Sequence, residues 1–471
     1  MDIENFIIKF TKAIQEGNAG LFVGAGISQG AGFVDWKGLL KPLAKEISLN
    51  IDKENDLLEV AQFYKNKMCG RGEINQEIIN NFSKDTILTE NIKILTRLPI
   101  YTYWTTNYDK LLEEGFKLNN RKIDVKVEQE QLARTVPKRD AILYKMHGDV
   151  EYPNKAVLTK DDYETYAEKR PLFRSALKGD LIAKTFLFIG FSFEDPNINY
   201  ILSQIHSLVG ENKRQHYCII KEVKGKKGEK KSEFLYKKIK QELKIEDLKR
   251  YGIQAVLLKE YGEITEILKK IEENINKRKV FISGSATKFT EPWNREKAED
   301  LAYSLAQALI RKDYTIASGF GIGIGSAVIN GALDEIYRSK YKNINEYLCL
   351  RPFPQNILDS KKRKELFTKY REDIIKDVGI TIFLFGNKEE KGEIKNANGC
   401  LEEFEIAKEK GKIIIPIGST GYAAKQILAE IKNDIDKYKY LKEYINDLET
   451  KTEKEEIIKI VLKIIDEQND F

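Results

Sequence analysis

A chain of 471 residues is too long for one ordinary core and predicts two domains. Its 79 basic against 73 acidic side chains leave a net charge of only +6, which excludes a protein whose main work is gripping a nucleic-acid backbone. The apolar runs are strand-sized and the opening M-D-I-E-N-F carries no basic-apolar leader, so a cytoplasmic protein with no membrane partner is expected.

Residues 4–16 place Phe6, Ile7, Phe10 and Ile14 on one helical face, and Gly17-Asn18 stop that helix. Ala19–Val23 then reads as a buried parallel strand running straight into Gly24-Ala25-Gly26-Ile27-Ser28. Glycines at a strand's carboxyl end let backbone N–H groups approach a diphosphate. A tight strand-to-helix turn with no ligand is the alternative reading. Helices are expected over 37–47 and 55–66, and Asp35 stands in F-V-D-W shortly after the glycine turn.

A strand over Leu98–Trp104 leads into the polar loop Thr105-Thr106-Asn107-Tyr108-Asp109. Asp109 suits a helix cap before K-L-L-E-E, which leaves Asn107 unexplained by turn chemistry. The strand Ala141–Met146 ends at His147-Gly148-Asp149, and His147 is one of three histidines in the chain. Thr185–Gly190 is a further buried strand, ending in Gly190-Phe191-Ser192 and then F-E-D-P-N. Strands come next at 215–220 and Ala255–Leu258, with Lys221–Lys231 a basic, solvated loop between them and a helix over 262–276.

A fresh strand and turn, V-F-I-S then Gly284-Ser285, places the domain boundary at 277/278. A helix over 294–311 and a strand Tyr314–Ala317 precede Ser318-Gly319-Phe320-Gly321-Ile322-Gly323-Ile324-Gly325, which opens the helix 326–337. Alternating glycines before a helix suit phosphate contact, with close helix–strand packing the alternative. Next come Leu348–Arg351, a helix carrying Arg371, the strand Ile380–Phe385 with Gly386-Asn387-Lys388, a helix opening at Gly399-Cys400 and carrying Glu403, the strand Ile413–Ile417 and a helix near 453–466. Arg371 offers a planar fork for phosphate, Lys388 a point charge and Glu403 an acceptor for ribose hydroxyls. A surface ion pair of Arg371 with Glu372 or Asp373 is the alternative.

The glycine turn, the T-T-N-Y-D loop and the His-Gly, in that order, resemble the NAD-binding core of the SIR2 family. The resemblance implies that residues 1–277 form a SIR2-like NAD-hydrolase domain. Its NAD-binding residues are then Gly24, Ala25, Gly26, Ile27, Ser28, Asp35, Asn107, Asp109, His147, Gly190, Phe191 and Ser192, with Asn107 and His147 catalytic. Asn107 orients a water or the ribose hydroxyls, His147 acts as base or polarising partner, and Asp109 steadies the loop.

Protein-deacylating sirtuins carry a four-cysteine zinc module after the His-Gly. Here Cys69, Cys218, Cys349 and Cys400 stand far apart with no C-x-x-C pair, so no metal is expected, and simple hydrolysis of the nicotinamide–ribose bond is favoured over deacylation.

Residues 278–471 resemble the SLOG superfamily, related to the cytokinin-activating LOG enzymes with their P-G-G-x-G-T-x-x-E signature. Arg371 and Glu403 match, but the P-G-G has become Phe385-Gly386-Asn387, the threonine is Cys400, and residues 388–398 are inserted. That departure favours nucleotide sensing over cleavage. Gly284, Ser285, Gly319, Phe320, Gly321, Arg351, Arg371, Lys388, Gly399 and Glu403 are its expected activator-binding residues.

The pair of domains is similar to the NAD-consuming effectors of the Thoeris anti-phage system. It implies two Rossmann-like parallel-sheet α/β domains and NAD as substrate rather than prosthetic group. It also implies a cyclic ADP-ribose isomer, supplied by a TIR-domain partner, as activator, and a homotetramer. A deacylase, a silent NAD-binding module and a SLOG phosphoribohydrolase are the rival readings.

Overall fold

The computed structural model describes residues 1–225, 227–354 and 357–469. Lys226, within the basic run Lys221–Lys231, lies outside the described residues, as do Asp470 and Phe471 of the second expected domain. Contacts divide the chain into two units between Glu272 and Glu273. The division falls inside the helix Glu263–Asn276, and the expected boundary at 277/278 lies just beyond the end of that helix.

In the first unit, β1 (Ala19–Val23), β2 (Thr102–Thr105), β3 (Ile123–Lys126), β4 (Ala141–Lys145), β5 (Thr185–Ile189), β6 (His216–Lys221) and β7 (Ile253–Leu258) form one sheet. Its order is β3-β4-β2-β1-β5-β6-β7 and every pairing is parallel. The central strands β1 and β5 are buried at every residue, which is why they read as unbroken apolar runs. Phe22, Trp104, Phe173, Phe186 and Phe188 pack in one cluster on the sheet.

The helix Ile3–Gln15 is capped by Asp2, whose carboxylate accepts the Asn5 N–H at 2.8 Å. Its buried face is Phe6, Ile7, Phe10 and Ile14 with Thr11 and Ala13. Phe6 and Phe10 are wholly excluded from solvent, worth about 1.5–3 kcal/mol each in transfer free energy. The edge strand β3 was not foreseen. Its I-D-V-K sequence buries Asp124 and Lys126 as an ion pair at 2.8 Å, with Arg139 at 2.6 Å on the other carboxylate oxygen. Charges satisfied in this way leave no alternating apolar signal.

In the second unit, β8 (Lys279–Ser285), β9 (Thr315–Ser318), β10 (Leu348–Leu350), β11 (Ile380–Phe385), β12 (Asn387–Glu390), β13 (Glu393–Asn396) and β14 (Ile413–Pro416) succeed one another. Five of them make a parallel sheet in the order β10-β9-β8-β11-β14. The inserted residues fold as the antiparallel hairpin β12–β13. Against the sheet, the helices Arg295–Arg311 and Gly325–Arg338 approach so closely that a Cβ on Gly331 would stand 2.1 Å from the Tyr303 carbonyl oxygen.

Each sheet begins at an inner strand, grows to one side and then resumes on the other. The topological switch points therefore flank β1 and β8. Ligand crevices of open parallel sheets lie at the carboxyl ends of strands at such points.

Candidate active site

The loops after β1, β2, β4 and β5 enclose a cavity of about 1010 Å³. Every expected NAD-binding residue except Gly24 lines it: Ala25, Gly26, Ile27, Ser28, Asp35, Asn107, Asp109, His147, Gly190, Phe191 and Ser192. Its size stands at the top of the roughly 300–1,000 Å³ range of small-molecule sites. Lys221, Lys240 and Lys244 bring positive charge to it, and Phe193, Ile220 and Ile245 bring apolar surface.

Gly24 is absent from the lining because it is spent on packing. Its N–H donates to the Ile189 carbonyl at 2.9 Å, and a Cβ there would lie 2.3 Å from the Gly190 oxygen. The Gly26 N–H donates to the Gly190 carbonyl at 2.9 Å. Gly190 itself has φ +66°, and its Cβ would stand 2.6 Å from the Ile27 nitrogen. The three glycines thus let the loop after β5 close on the turn after β1, a packing contact between two loops rather than the simple tight turn that the sequence offered as the alternative. Asp35 also has a structural duty: it caps the helix Trp36–Glu46 through the Gly38 N–H at 2.7 Å and accepts from Gln29 Nε2 at 3.1 Å.

Asn107, Ser28 and Asp109 form one chain. Asn107 Nδ2 donates to Ser28 Oγ at 2.9 Å, and Ser28 Oγ donates to Asp109 Oδ2 at 2.7 Å. Asp109 Oδ1 accepts the Leu111 N–H at 3.0 Å, which anchors the loop rather than capping the helix Leu111–Leu118, whose cap position is Lys110. The buried Asn107 Oδ1 has no hydrogen-bond partner among the described residues.

Beneath this loop lies Lys145, buried at the end of β4. Its ammonium donates to the carbonyls of Tyr108 (3.2 Å) and Asp109 and sits 3.1 Å from Glu113 and 2.5 Å from Asp149. Burial opposes its charge, but the two carboxylates hold its pKa above the usual lysine value. Burial pushes Glu113 up, whereas Lys145 overcomes burial at Asp149 and holds that carboxyl below its ordinary value. Nothing in the sequence pointed to Lys145, since a lysine ending an apolar strand reads as solvated.

His147 is 1% exposed, and among the described residues neither ring nitrogen has an aligned hydrogen-bond partner. Its Nε2 stands 3.2 Å from Asp195 Oδ2. Tyr163 and Tyr166 set their rings edge-on to it at 5.5 and 6.2 Å between centroids. Burial lowers the His147 pKa, with Asp195 opposing and Arg170 assisting, so the ring is neutral at pH 7. Sequence patterns did not single out Asp195 or Tyr163. The Asp-Pro at 195–196 was a visible signal, but it reads equally as the cap that Asp195 does provide to the helix Pro196–Val209.

In the second unit, Glu403 is buried and accepts a hydrogen bond from Ser283 Oγ at 2.6 Å. Arg371 lies 3.4 Å from Glu403 and 3.0 Å from Glu402, in place of the neighbours Glu372 and Asp373 that the sequence offered. Its guanidinium covers the Phe353 ring at 5.0 Å, and a Cβ on Gly399 would stand 2.7 Å from its Nη2. Gly319 packs under the same Phe353 ring. Burial raises the Glu403 carboxyl, against the pull of Ser283 and Arg371.

Gly319, Arg371, Gly399 and Glu403 are therefore brought together. Gly284 and Gly321 pack on each other, since a Cβ on Gly321 would fall 1.9 Å from the Gly284 oxygen. Phe320 is half-exposed at φ +59°. Arg351 sets its Nε 3.5 Å from Cys349 Sγ, and Lys388 pairs with Glu390 at 3.3 Å on the hairpin. The unforeseen residue here is Asn387, wholly buried where the enzyme signature has its second glycine. Its Oδ1 accepts from the N–H groups of Thr287 (2.8 Å) and Lys288 (3.1 Å), and Ser285 Oγ donates to its carbonyl at 2.9 Å.

Among the described residues no three His, Cys, Asp or Glu side chains converge as a metal-binding group, and no helix is long and apolar enough to cross a membrane. Residues 101–246 match the SIR2-like domain family, and residues 263–468 match the Sir2- and TIR-associating SLOG family. The chain is 49% identical over 437 residues to the NAD(+) hydrolase ThsA of Bacillus cereus (strain MSX-D12), covering 93% of this chain and 91% of that one. The chain belongs to the ThsA family. A second ThsA, from Cytobacillus dafuensis, is 47% identical over 93% of this chain and 90% of its own. Another, from Acinetobacter baumannii (strain 532279), is 43% identical over 92% and 91%. ThsA relatives thus align across both units, whereas the defense-associated sirtuin 2 of Bacillus subtilis aligns with 44% of this chain at 29% identity.

Proposed function

We propose that this protein hydrolyses NAD⁺ to ADP-ribose and nicotinamide in the cavity of its first unit, as the NAD-depleting effector of a Thoeris-type anti-phage defence. The observation that carries the reading is the convergence of Ser28, Asn107, Asp109 and His147 on one cavity large enough for a dinucleotide. The names of its relatives agree with it.

Nicotinamide leaves NAD⁺ as a neutral molecule, taking both electrons of the glycosidic C–N bond, so the ribose passes through an oxocarbenium-like state. Water forms the new C–O bond at the anomeric carbon and gives up a proton. His147, neutral and buried, accepts that proton and returns it to solvent. The free Oδ1 of Asn107 orients the water or the ribose hydroxyls, while the Ser28–Asp109 contact fixes the Asn107 amide. No prosthetic group or metal enters this scheme.

The second unit binds a cyclic ADP-ribose isomer made by a TIR-domain partner. Arg371 and Glu403, held among Phe353, Ser283 and Gly399, recognise phosphate and ribose, with Gly284, Ser285, Gly319, Phe320, Gly321, Arg351 and Lys388 in the same binding set. Binding switches on hydrolysis in a cytoplasmic homotetramer. The test is NAD hydrolysis by the purified protein with and without a panel of cyclic ADP-ribose isomers. Strong activation by one isomer supports both halves. Constitutive turnover keeps the hydrolase and removes the sensor, and silence in every condition removes the hydrolase.

A further inference from the structure

We propose that Asp195 is the positioning residue for His147: its carboxylate receives the Nε2–H of the ring, which fixes the tautomer and turns the Nδ1 lone pair to the substrate as the base. The inference rests on the hydrolase reading and adds to it a residue and an atom.

Three observations carry it. The Asp195 Oδ2 atom stands 3.2 Å from His147 Nε2, within hydrogen-bond distance though not aligned for one here, and both residues line the cavity. Asp195 is itself held on both oxygens, Oδ1 by the Ile198 N–H at 3.0 Å and Oδ2 by the Tyr163 hydroxyl at 3.0 Å. Finally, the segment that delivers it is bent at two places: Gly190 at φ +66° and the buried Phe193 at φ +57°. A bulky residue in the left-handed region is strained, and Phe193 is kept there by its packing on Phe188 and Phe191 at 5.0 and 5.1 Å.

A buried neutral imidazole with no oriented partner can carry its proton on either nitrogen, and only one tautomer offers a lone pair to the substrate. A carboxylate on one side removes that ambiguity and stabilises the imidazolium formed during turnover. The other groups facing His147 are Tyr163 and Tyr166, with the charges of Asp162 and Arg170 also acting on it. Burial and the Asp195 charge keep Tyr163 a phenol well above the usual pKa, so it donates to Asp195 and does not compete as a base.

Asp195→Asn separates positioning from capping, because asparagine caps a helix as well as aspartate does. Under whichever activator condition supports turnover, the variant should lose on the order of 10²-fold in kcat with little change in KM and an unchanged melting temperature. The acid limb of its pH–rate profile should move to lower pH, because the carboxylate that holds His147 up is gone. In a His147→Ala background the same substitution should cause no further loss.

Protein labelled with ¹⁵N-histidine carries only three such rings, and His147 should show the Nε2–H tautomer in the wild type and lose that preference in Asp195→Asn. An Nδ1–H tautomer in the wild type, wild-type kcat in Asp195→Asn, or an additive loss in the His147→Ala background overturns the proposal. Should the wild type hydrolyse no NAD at all, the hydrolase reading fails separately, and the ring spectrum still decides whether Asp195 orients His147.

Discussion

Replacing Lys145 by methionine tests how the Asn107 loop is held. The ammonium is 1% exposed and ties together two carbonyls of the loop, Tyr108 and Asp109, and two carboxylates, Glu113 and Asp149. Methionine fills most of the volume, so the loss is electrostatic. Breaking a buried pair from one side costs about 3–5 kcal/mol. The lower end applies here, because Asp149 keeps Lys110 at 2.9 Å and Glu113 is already pushed toward its neutral form by burial.

At roughly 2–4 °C per kcal/mol for a domain of 150–250 residues, a 3 kcal/mol loss lowers the melting temperature of the first unit by about 6–12 °C. The sign of the pH dependence comes from the uncompensated carboxylates. Their folded pKa values rise above the unfolded ones, so the penalty is full above the raised folded values, shrinks as pH falls through them and is gone below the unfolded carboxylate range. Scanning calorimetry at pH 8 and pH 5 measures both. Turnover should fall by about 10²-fold as the loop relaxes, a loss typical of a misplacement of about 1 Å. A variant that melts within about 1 °C of the wild type at pH 8 and turns over NAD normally would refute the clamp.

Asn107→Ala and His147→Ala should each cut NAD turnover by about 10³–10⁴-fold, leaving a measurable residual rate and a nearly unchanged melting temperature, checked by nicotinamide release and calorimetry. Either variant turning over at the wild-type rate removes the catalytic assignment. Glu403→Ala should raise the activator concentration needed for half-maximal NAD loss without changing the activated rate; if it instead stops release of base from a nucleoside monophosphate, the second unit is a phosphoribohydrolase. His216, whose Nδ1 accepts the Phe186 N–H at 3.1 Å, is depressed to about 4 by burial. Its stabilisation is complete above the unfolded histidine value and drains away as pH falls from about 6.5 to 4, costing on the order of 3 kcal/mol. Denaturant titrations at pH 7 and pH 4.5 should show that loss, and a smaller one in His216→Gln.

The strand ends that carry chemistry were legible because parallel strands buried on both faces are unbroken apolar runs, and each run gives way to polar, specific residues: Gly24–Ser28, Thr105–Asp109, His147-Gly148. Strand β3 and the hairpin β12–β13 were not: I-D-V-K buries its charges as a pair, and the hairpin N-K-E-E to E-I-K-N is a largely exposed, charged ribbon with no apolar run. Asp195 was hidden for a different reason. Its cap to Ile198 is a local signal, while its approach to His147 depends on the bends at Gly190 and Phe193, which no spacing encodes. Gly24 and Gly26 show a true degeneracy: a glycine that admits a phosphate and one that admits another loop have the same sequence.

The glycine contact between the turn after β1 and the loop after β5 has a mechanical consequence. Gly190 meets Gly24 and Gly26 backbone to backbone, with the Ile27 side chain beside the contact. The Gly26 N–H to Gly190 carbonyl bond and the Asn107–Ser28–Asp109 chain therefore link the loop that carries Asp195 to the loop that carries Asn107. A displacement of the Gly190–Asp195 segment is expected to be felt at Asn107 as well as at His147.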